Sequence, residues 1–554
     1  MKDIIINSLS KIVNLNKQEI SNLIETPKDS ALGDLAFPCF ALAKQLKKNP
    51  TEIAQELASK IKSPDFEKIT AVGPYINFFI NRDSLAAQTL KEIEKQKDKY
   101  GSSNQGKEKI MIEFSQANTH KAFHVGHVRG TSLGESISRI LEFTGNKVTR
   151  ANYQGDTGMH VAKWIWCFSK YHKKEIKKDE SWIAGIYVDA VKRLAENPDL
   201  QEEVDEINRN LESKNKSLNE TWEKTRKLSL DSLEPIYKDL DTRFDIYFFE
   251  SEVEKRGKEI SEELVNKKIA EISEGATIIN LEKYNLGVWV LLRKDGTVLY
   301  SAKDLALSEK KFKEFKIDKA IYVVGSEQRL HLQQLFKTLE LMNFKQAKNC
   351  AYIPVSEVRF PWGKMSSRTG ENILYSNFRQ ELIDYAVEEI KKRHKINEKE
   401  AQARALAIAI ASMKYSMLKQ DVNKIFVFDK EEALRFEGDT GPYLLYTYAR
   451  AKSILRKAKA RGKLKISNLN EQEKQLILQL SQFPEIVLHA YKNLSPNIIA
   501  NYALQLAQSF NEFYHSNKVI GSEQESSRLA LVSSTSQVLK NALSLLGIQV
   551  LEKM

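Results

Sequence analysis

Lys109-Ile-Met-Ile-Glu-Phe-Ser115 reads as a buried strand, because its apolar residues run together and a polar turn follows them. A helical stretch from Val128 to Phe143 comes next, closed by Gly145 as a C-cap, and Lys147 to Tyr153 reads as a second strand. Strand, turn, helix and strand in this order make a βαβ unit of a parallel, doubly wound sheet. Ligands in such sheets sit at the carboxyl ends of strands, which puts the expected chemistry near residues 115–128.

Upstream, helical periodicity at Pro50–Ile61 is followed by a strand-like run, Tyr75–Ile80, after a Gly-Pro turn signal, so residues 1–100 read as a small α/β domain. Tyr100-Gly-Ser-Ser-Asn-Gln-Gly-Lys107 is small, polar and turn-rich, as a linker should be. Downstream, residues 170–286 are highly charged and helical in pattern, an insertion in the nucleotide fold. The sheet is expected to resume with Gly287–Leu292 and Ala320–Val324, and from Ser376 onward the pattern is helical throughout, including 401–418 and 439–460. The fold class is therefore α/β: a Rossmann-type domain with a parallel sheet (108–169 and 287–375), split by a mostly helical insertion (170–286), between the N-terminal α/β domain (1–100) and a C-terminal all-α bundle (376–554).

At 554 residues the chain exceeds what one hydrophobic core supports, and its 42% hydrophobic content excludes wholesale disorder. The net charge of +12, with a pI near 9.1, suits a polyanionic partner, although charge alone equally fits a Lys-rich soluble surface. Cys39, Cys167 and Cys350 are far apart and odd in number, which argues against a disulfide framework or a four-thiolate zinc site and for a reducing compartment. The N-terminal apolar stretch is too short and interrupted for a signal peptide or membrane span, so a cytoplasmic protein is expected.

Two segments carry chemistry. In Asn118-Thr-His-Lys-Ala-Phe-His-Val-Gly-His127, two imidazoles flank a glycine at a helix start, where backbone N–H groups and the macrodipole favour phosphate and Gly126 allows close approach. A metal pair is the alternative, but no third ligand stands at a recognised spacing. About 240 residues on, Lys364-Met-Ser-Ser-Arg-Thr-Gly370 is a loop of small residues with two cations, suited to closing over a pyrophosphate. Either segment alone is compatible with a capped helix or a basic surface loop.

His124-Val-Gly-His127 resembles the HIGH signature, and Lys364-Met-Ser-Ser-Arg368 the KMSKS signature, of class I aminoacyl-tRNA synthetases. Glu113-Phe-Ser-Gln-Ala-Asn118, Lys121, Tyr300-Ser-Ala-Lys-Asp304, Gly438-Asp-Thr-Gly-Pro-Tyr443 and Tyr446 narrow the resemblance to arginyl-tRNA synthetases. The family implies activation of L-arginine with ATP and Mg²⁺, with no tightly held metal, followed by transfer to tRNA(Arg), by a monomer that needs bound tRNA for an efficient first step. ATP contacts fall to His124, Gly126, His127, Lys364, Met365, Ser366 and Ser367, with Arg368 also stabilising charge. Ser367 stands where the signature has a second lysine, and the resemblance gives that charge to Lys121.

For the substrate, the resemblance assigns the guanidinium to Glu250, Asp304 and the Tyr300 hydroxyl. A planar, always charged group calls for carboxylates and acceptors, and Tyr300 and Asp304 share a helical face. Glu113, Asn118 and Gln328 match residues that grip the amino acid's backbone end. Gly155-Asp-Thr-Gly158 resembles a turn near the adenylate. Such a polar pocket rejects near misses by itself, so no editing domain is expected. On the tRNA side, Tyr75 and Asn77, on alternate strand positions, match a pair that reads an exposed base at the elbow, and Tyr443, Tyr446 and Met554 match positions near the anticodon loop. The rival readings are another HIGH-type nucleotidyltransferase and a tRNA-binding, synthetase-like protein without aminoacylation activity; the basic helical C-terminus opposes the first, and an intact ATP site beside an arginine pocket opposes the second.

Overall fold

The structure is a computed structural model that describes the chain apart from residues 175, 214, 362, 365–372, 394, 459–465 and 467, and apart from the side chains at 3, 30, 363, 364 and 393. Strands β1 (Leu35–Pro38), β2 (Phe66–Val72) and β3 (Tyr75–Ile80) form an antiparallel N-terminal sheet in the order β1-β3-β2. Tyr100, read as part of a linker, is instead buried: its hydroxyl donates to the Leu480 carbonyl at 2.9 Å and its ring stacks on Phe483, which pins the N-terminal part to the C-terminal helices.

Next come β4 (Lys109–Glu113), β5 (Lys147–Gln154), β6 (Ile246–Phe249), β7 (Glu271–Ser273), β8 (Ala276–Asn280), β9 (Val288–Leu292), β10 (Lys319–Gly325) and β11 (Cys350–Val355). A five-stranded parallel sheet runs β11-β10-β4-β5-β6. Two expectations are corrected. The segment 170–286 is not an unbroken insertion, because Ile246–Phe249 pairs in parallel with β5 as the sheet's edge. The run 287–292 does not rejoin that sheet; it closes a separate antiparallel sheet, β7-β8-β9. A four-residue strand in a charged, helical context leaves little periodicity to read, and an apolar run does not disclose its pairing partner. Beyond these, β12 (Val358–Phe360) pairs with β13 (Gly363–Lys364) and with β14 (Phe426–Val427), so a short strand also interrupts the C-terminal helices.

The helix after β4 starts at Val125, one turn before the periodicity places it, because the two histidines cap it: the Gly126 N–H donates to His124 Nδ1 and the His124 N–H to His127 Nδ1, both at 3.1 Å. Midway along, Gly134 lets the helix lie on Phe114, since a Cβ there would fall 2.2 Å from the Phe114 side chain. The C-terminal half is helical, with Glu398–Leu418, Gly441–Lys457, Glu471–Asn493, Asn497–Ser516 and Glu525–Leu545 sharing one apolar core. Among the described residues no helix is long and apolar enough to cross a membrane.

Candidate active site

The carboxyl ends of the parallel strands open into a cleft of about 910 Å³. Glu113 ends β4, Tyr153 lies near the end of β5, Glu250 follows β6, Gln328 follows β10 and Ser356 follows β11; all of them line it, as a parallel sheet requires. Helix Tyr300–Phe315 adds Tyr300 and Asp304.

One end carries the two histidines. Because each Nδ1 accepts a backbone N–H, each neutral ring must carry its proton on Nε2. Burial pushes His124 down to about 4, with Lys121 adding to the shift, and burial with the neighbouring His124 holds His127 well below the usual imidazole range. The pair therefore presents neutral N–H donors. The loop that delivers them is strained, with Ser115, Gln116 and His120 at φ of 75, 51 and 62. It is locked from the insertion: Ser229 Oγ accepts the His120 N–H at 2.9 Å, Thr225 Oγ1 meets His120 Nε2 at 2.9 Å, and the Tyr237 hydroxyl meets Ser115 Oγ at 3.1 Å.

Lys121 is half-buried, sits 5.5 Å over the Tyr187 ring, and has its pKa lowered by burial and by Lys163; it makes no ion pair among the described residues and does not line the cleft. Lys364 stands on β13, while Met365, Ser366, Ser367 and Arg368 lie outside the described residues. The chain returns beside the histidines: the Val125 N–H donates to the Ile373 carbonyl and the Tyr375 N–H to that of Phe123.

The other end is acidic. Asp304 Oδ2 accepts from His331 Nε2 at 2.6 Å, and His331 is oriented by the Trp289 indole N–H, which donates to its Nδ1 at 3.3 Å. Among the described residues, Asp304 Oδ1 and the Tyr153 hydroxyl are buried without a hydrogen-bond partner. Glu250 accepts from Lys303 at 3.1 Å and Thr157 at 3.2 Å, and burial raises its pKa. Tyr300 packs edge-on against His331 and is 55% exposed at the mouth. Glu113 is held in a buried ion pair by Lys311 at 2.5 Å. Asn118 Oδ1 accepts the Gly155 N–H at 3.1 Å, which leaves its amide N–H₂ as the available donor, and a Cβ on Gly155 would sit 2.7 Å from that oxygen. Gln328 is exposed at the rim. Asp156, in the Gly155–Gly158 turn, is a buried staple to Arg226 and Ser251.

The chain matches three family models: the tRNA synthetases class I (R) catalytic domain over residues 89–430, the DALR anticodon binding domain over 444–554 and the arginyl tRNA synthetase N terminal domain over 1–80. The chain belongs to the arginyl-tRNA synthetases. Similar curated members of this family include the arginine–tRNA ligases of Clostridium acetobutylicum, 37% identical over 565 residues, and Streptococcus pneumoniae, 37% over 563, each covering 100% of both chains. The arginyl-tRNA synthetase structure of Thermus thermophilus superposes with a TM-score of 0.80 at 26% identity, over 100% of this chain and 99% of that one.

The residues expected to meet tRNA lie away from this cleft. Tyr446 and Met554 line a cleft of about 440 Å³ with Arg404, Arg450 and Arg456, whereas the Tyr443 hydroxyl is bonded to Asn511. In the N-terminal sheet Tyr75 meets the exposed Phe40 edge-on, while Asn77, on the same strand, is 3% exposed. Sequence reading missed Tyr153, His331, Phe40 and the Thr225–Ser229 buttress. Only an aromatic hydroxyl at a strand's carboxyl end, as at Tyr153, carried any signal.

Proposed function

We propose that ATP lies at the histidine end of the cleft and arginine at the acidic end, with their reacting atoms meeting between them. As an arginine–tRNA ligase, the chain activates arginine to arginyl-adenylate with release of pyrophosphate and transfers the arginyl group to the 3′ end of tRNA. In this reading His124 and His127 donate Nε2–H to phosphate oxygens as neutral groups. Lys121, Lys364 and Arg368 supply positive charge where it builds up on the leaving pyrophosphate, and Gly126, Met365, Ser366 and Ser367 complete the phosphate contacts. Lys121 suits this role because burial has desolvated its ammonium without giving it a carboxylate. Mg²⁺ enters on the phosphates, with water filling the rest of its shell.

The observation that carries the arginine assignment is the pair of partnerless acceptors, Asp304 Oδ1 and the Tyr153 hydroxyl, beside Glu250. A guanidinium fork satisfies both, and Tyr300 covers it at the mouth. Glu113 faces the substrate ammonium, and Asn118 and Gln328 orient its carboxylate. Tyr75 with Phe40, and Tyr446 with Met554, are the proposed tRNA contacts, on a monomer. The test is amino-acid-dependent pyrophosphate exchange, with tRNA present, comparing arginine with citrulline, its uncharged isostere. Arginine supports exchange and citrulline does not; comparable rates with both would remove the carboxylates from the recognition.

A further inference from the structure

Two residues past His127, the same helix buries a guanidinium. Arg129 is 2% exposed and makes no ion pair among the described residues. Its Nη1 donates to the carbonyls of Ser356 at 2.7 Å, Lys424 at 3.1 Å and Glu357 at 3.4 Å, and its Nη2 to that of Asp421 at 3.1 Å. Ser356 and Glu357 wall the cleft and lead into the β12–β13 hairpin that carries Lys364. Asp421 and Lys424 lie in the connection that leaves helix Glu398–Leu418 of the C-terminal half. The two segments are also bonded to each other: the Ser356 N–H donates to the Val422 carbonyl at 3.0 Å, Ser356 Oγ to that of Asn423 at 2.8 Å, and β12 pairs with β14. They form one body, which Arg129 clasps to the helix that starts at His124.

We infer that Arg129 is a positioning residue that couples the C-terminal helical half to the ATP end of the cleft, by fixing the wall at 356–360, and with it β13, relative to His124 and His127. Burying a charge is a poor route to stability when an apolar side chain of similar volume fills the same space. A planar fork with five donors can, however, hold four carbonyls on two segments in one fixed geometry. A shift of the 421–424 connection is therefore transmitted to the cleft wall, and through it to the hairpin bearing Lys364. The inference rests on the placement of ATP at the histidine end.

The test compares Arg129→Lys and Arg129→Met in the full chain, by arginine-dependent pyrophosphate exchange with tRNA present, equilibrium titration with ATP, and hydrogen exchange. A lysine offers one nitrogen where the guanidinium offers two, so the Nη2 bond to Asp421 and the fixed planar geometry are lost; R129K raises the KM for ATP about tenfold and R129M lowers kcat/KM for ATP by up to about a hundredfold, as misplacement by an ångström does. The KM for arginine stays within about twofold, because the Asp304 end is built on other elements. Amide exchange speeds up together in 356–360 and 421–428. Equal rises in both KM values, or an unchanged KM for ATP, would overturn the coupling role; should R129M not fold, R129K decides. A wild-type chain that binds ATP but shows no arginine-dependent exchange would contradict the functional reading instead, and Arg129 would then be judged on ATP affinity alone.

Discussion

Replacing Asp304 with Asn tests the arginine pocket through a geometry that leaves the amide one way to sit. The Trp289 indole N–H donates to His331 Nδ1, so a neutral His331 carries its proton on Nε2 and donates it to Asp304. In Asp304→Asn the amide oxygen must stay on that donor, and the N–H₂ group then faces the guanidinium, where Asp304 Oδ1 stands without a partner. A charge-assisted bond of about 1.5–3 kcal/mol is lost. A donor now opposes a donor beside a substrate charge left short of a counter-ion, and truncating one side of such a pair costs roughly 2–5 kcal/mol. Taking about 3 kcal/mol, kcat/KM for arginine falls by roughly two powers of ten. Pyrophosphate exchange with tRNA present, at varied arginine and saturating ATP, measures it, with the KM for ATP within about twofold of wild type as the control. A folded D304N chain whose kcat/KM for arginine stays within about threefold of wild type would refute the placement of the guanidinium on Asp304.

His124→Asn keeps an oxygen to cap the Gly126 N–H but loses the Nε2 donor, so activation slows by about 10²-fold, as on removal of one transition-state donor, while the melting temperature barely moves; a parallel loss of stability would mean the ring's role is capping. Tyr153→Phe removes a buried hydroxyl that has no partner in the free protein, so its stability to denaturant is unchanged or higher while the KM for arginine rises about tenfold; an unchanged KM in exchange assays would exclude the hydroxyl from the pocket. His120, pushed down to about 3 by burial, and His124 and His160, each at about 4, bind protons more readily when unfolded. Stability is therefore complete above the unfolded value near 6.5 and falls as the pH drops toward 4; denaturant melts of His120→Gln over this range should show a shallower slope than wild type, and an identical slope would contradict the neutral buried ring.

The βαβ unit was legible because β4 is an apolar run followed by a periodic helix that ends at a glycine before β5, and the histidines were legible because two imidazoles flank a glycine at that helix's start. Less legible were features fixed by partners remote in sequence. The strain at Ser115, Gln116 and His120 is held by Thr225, Ser229 and Tyr237, a hundred or so residues away. His331 gains its role only because Trp289 and Asp304 fold onto its two nitrogens. Asn77 has the right alternation but sits in a central strand, where both neighbours cover it, and Phe40 is exposed although nothing in its local pattern says so.

The acidic end of the cleft should make this chain load arginine, and not its nearest cationic analogue, onto tRNA. The most direct measurement is the purified full-length chain with ATP, Mg²⁺, tRNA(Arg) and radiolabelled arginine or lysine, scored by acid-precipitable tRNA. Arginine yields arginyl-tRNA, lysine gives nothing above background, and the arginine signal is lost when ATP is omitted. Charging with lysine as readily as with arginine, or tRNA bound without any amino acid esterified to it, would contradict this reading.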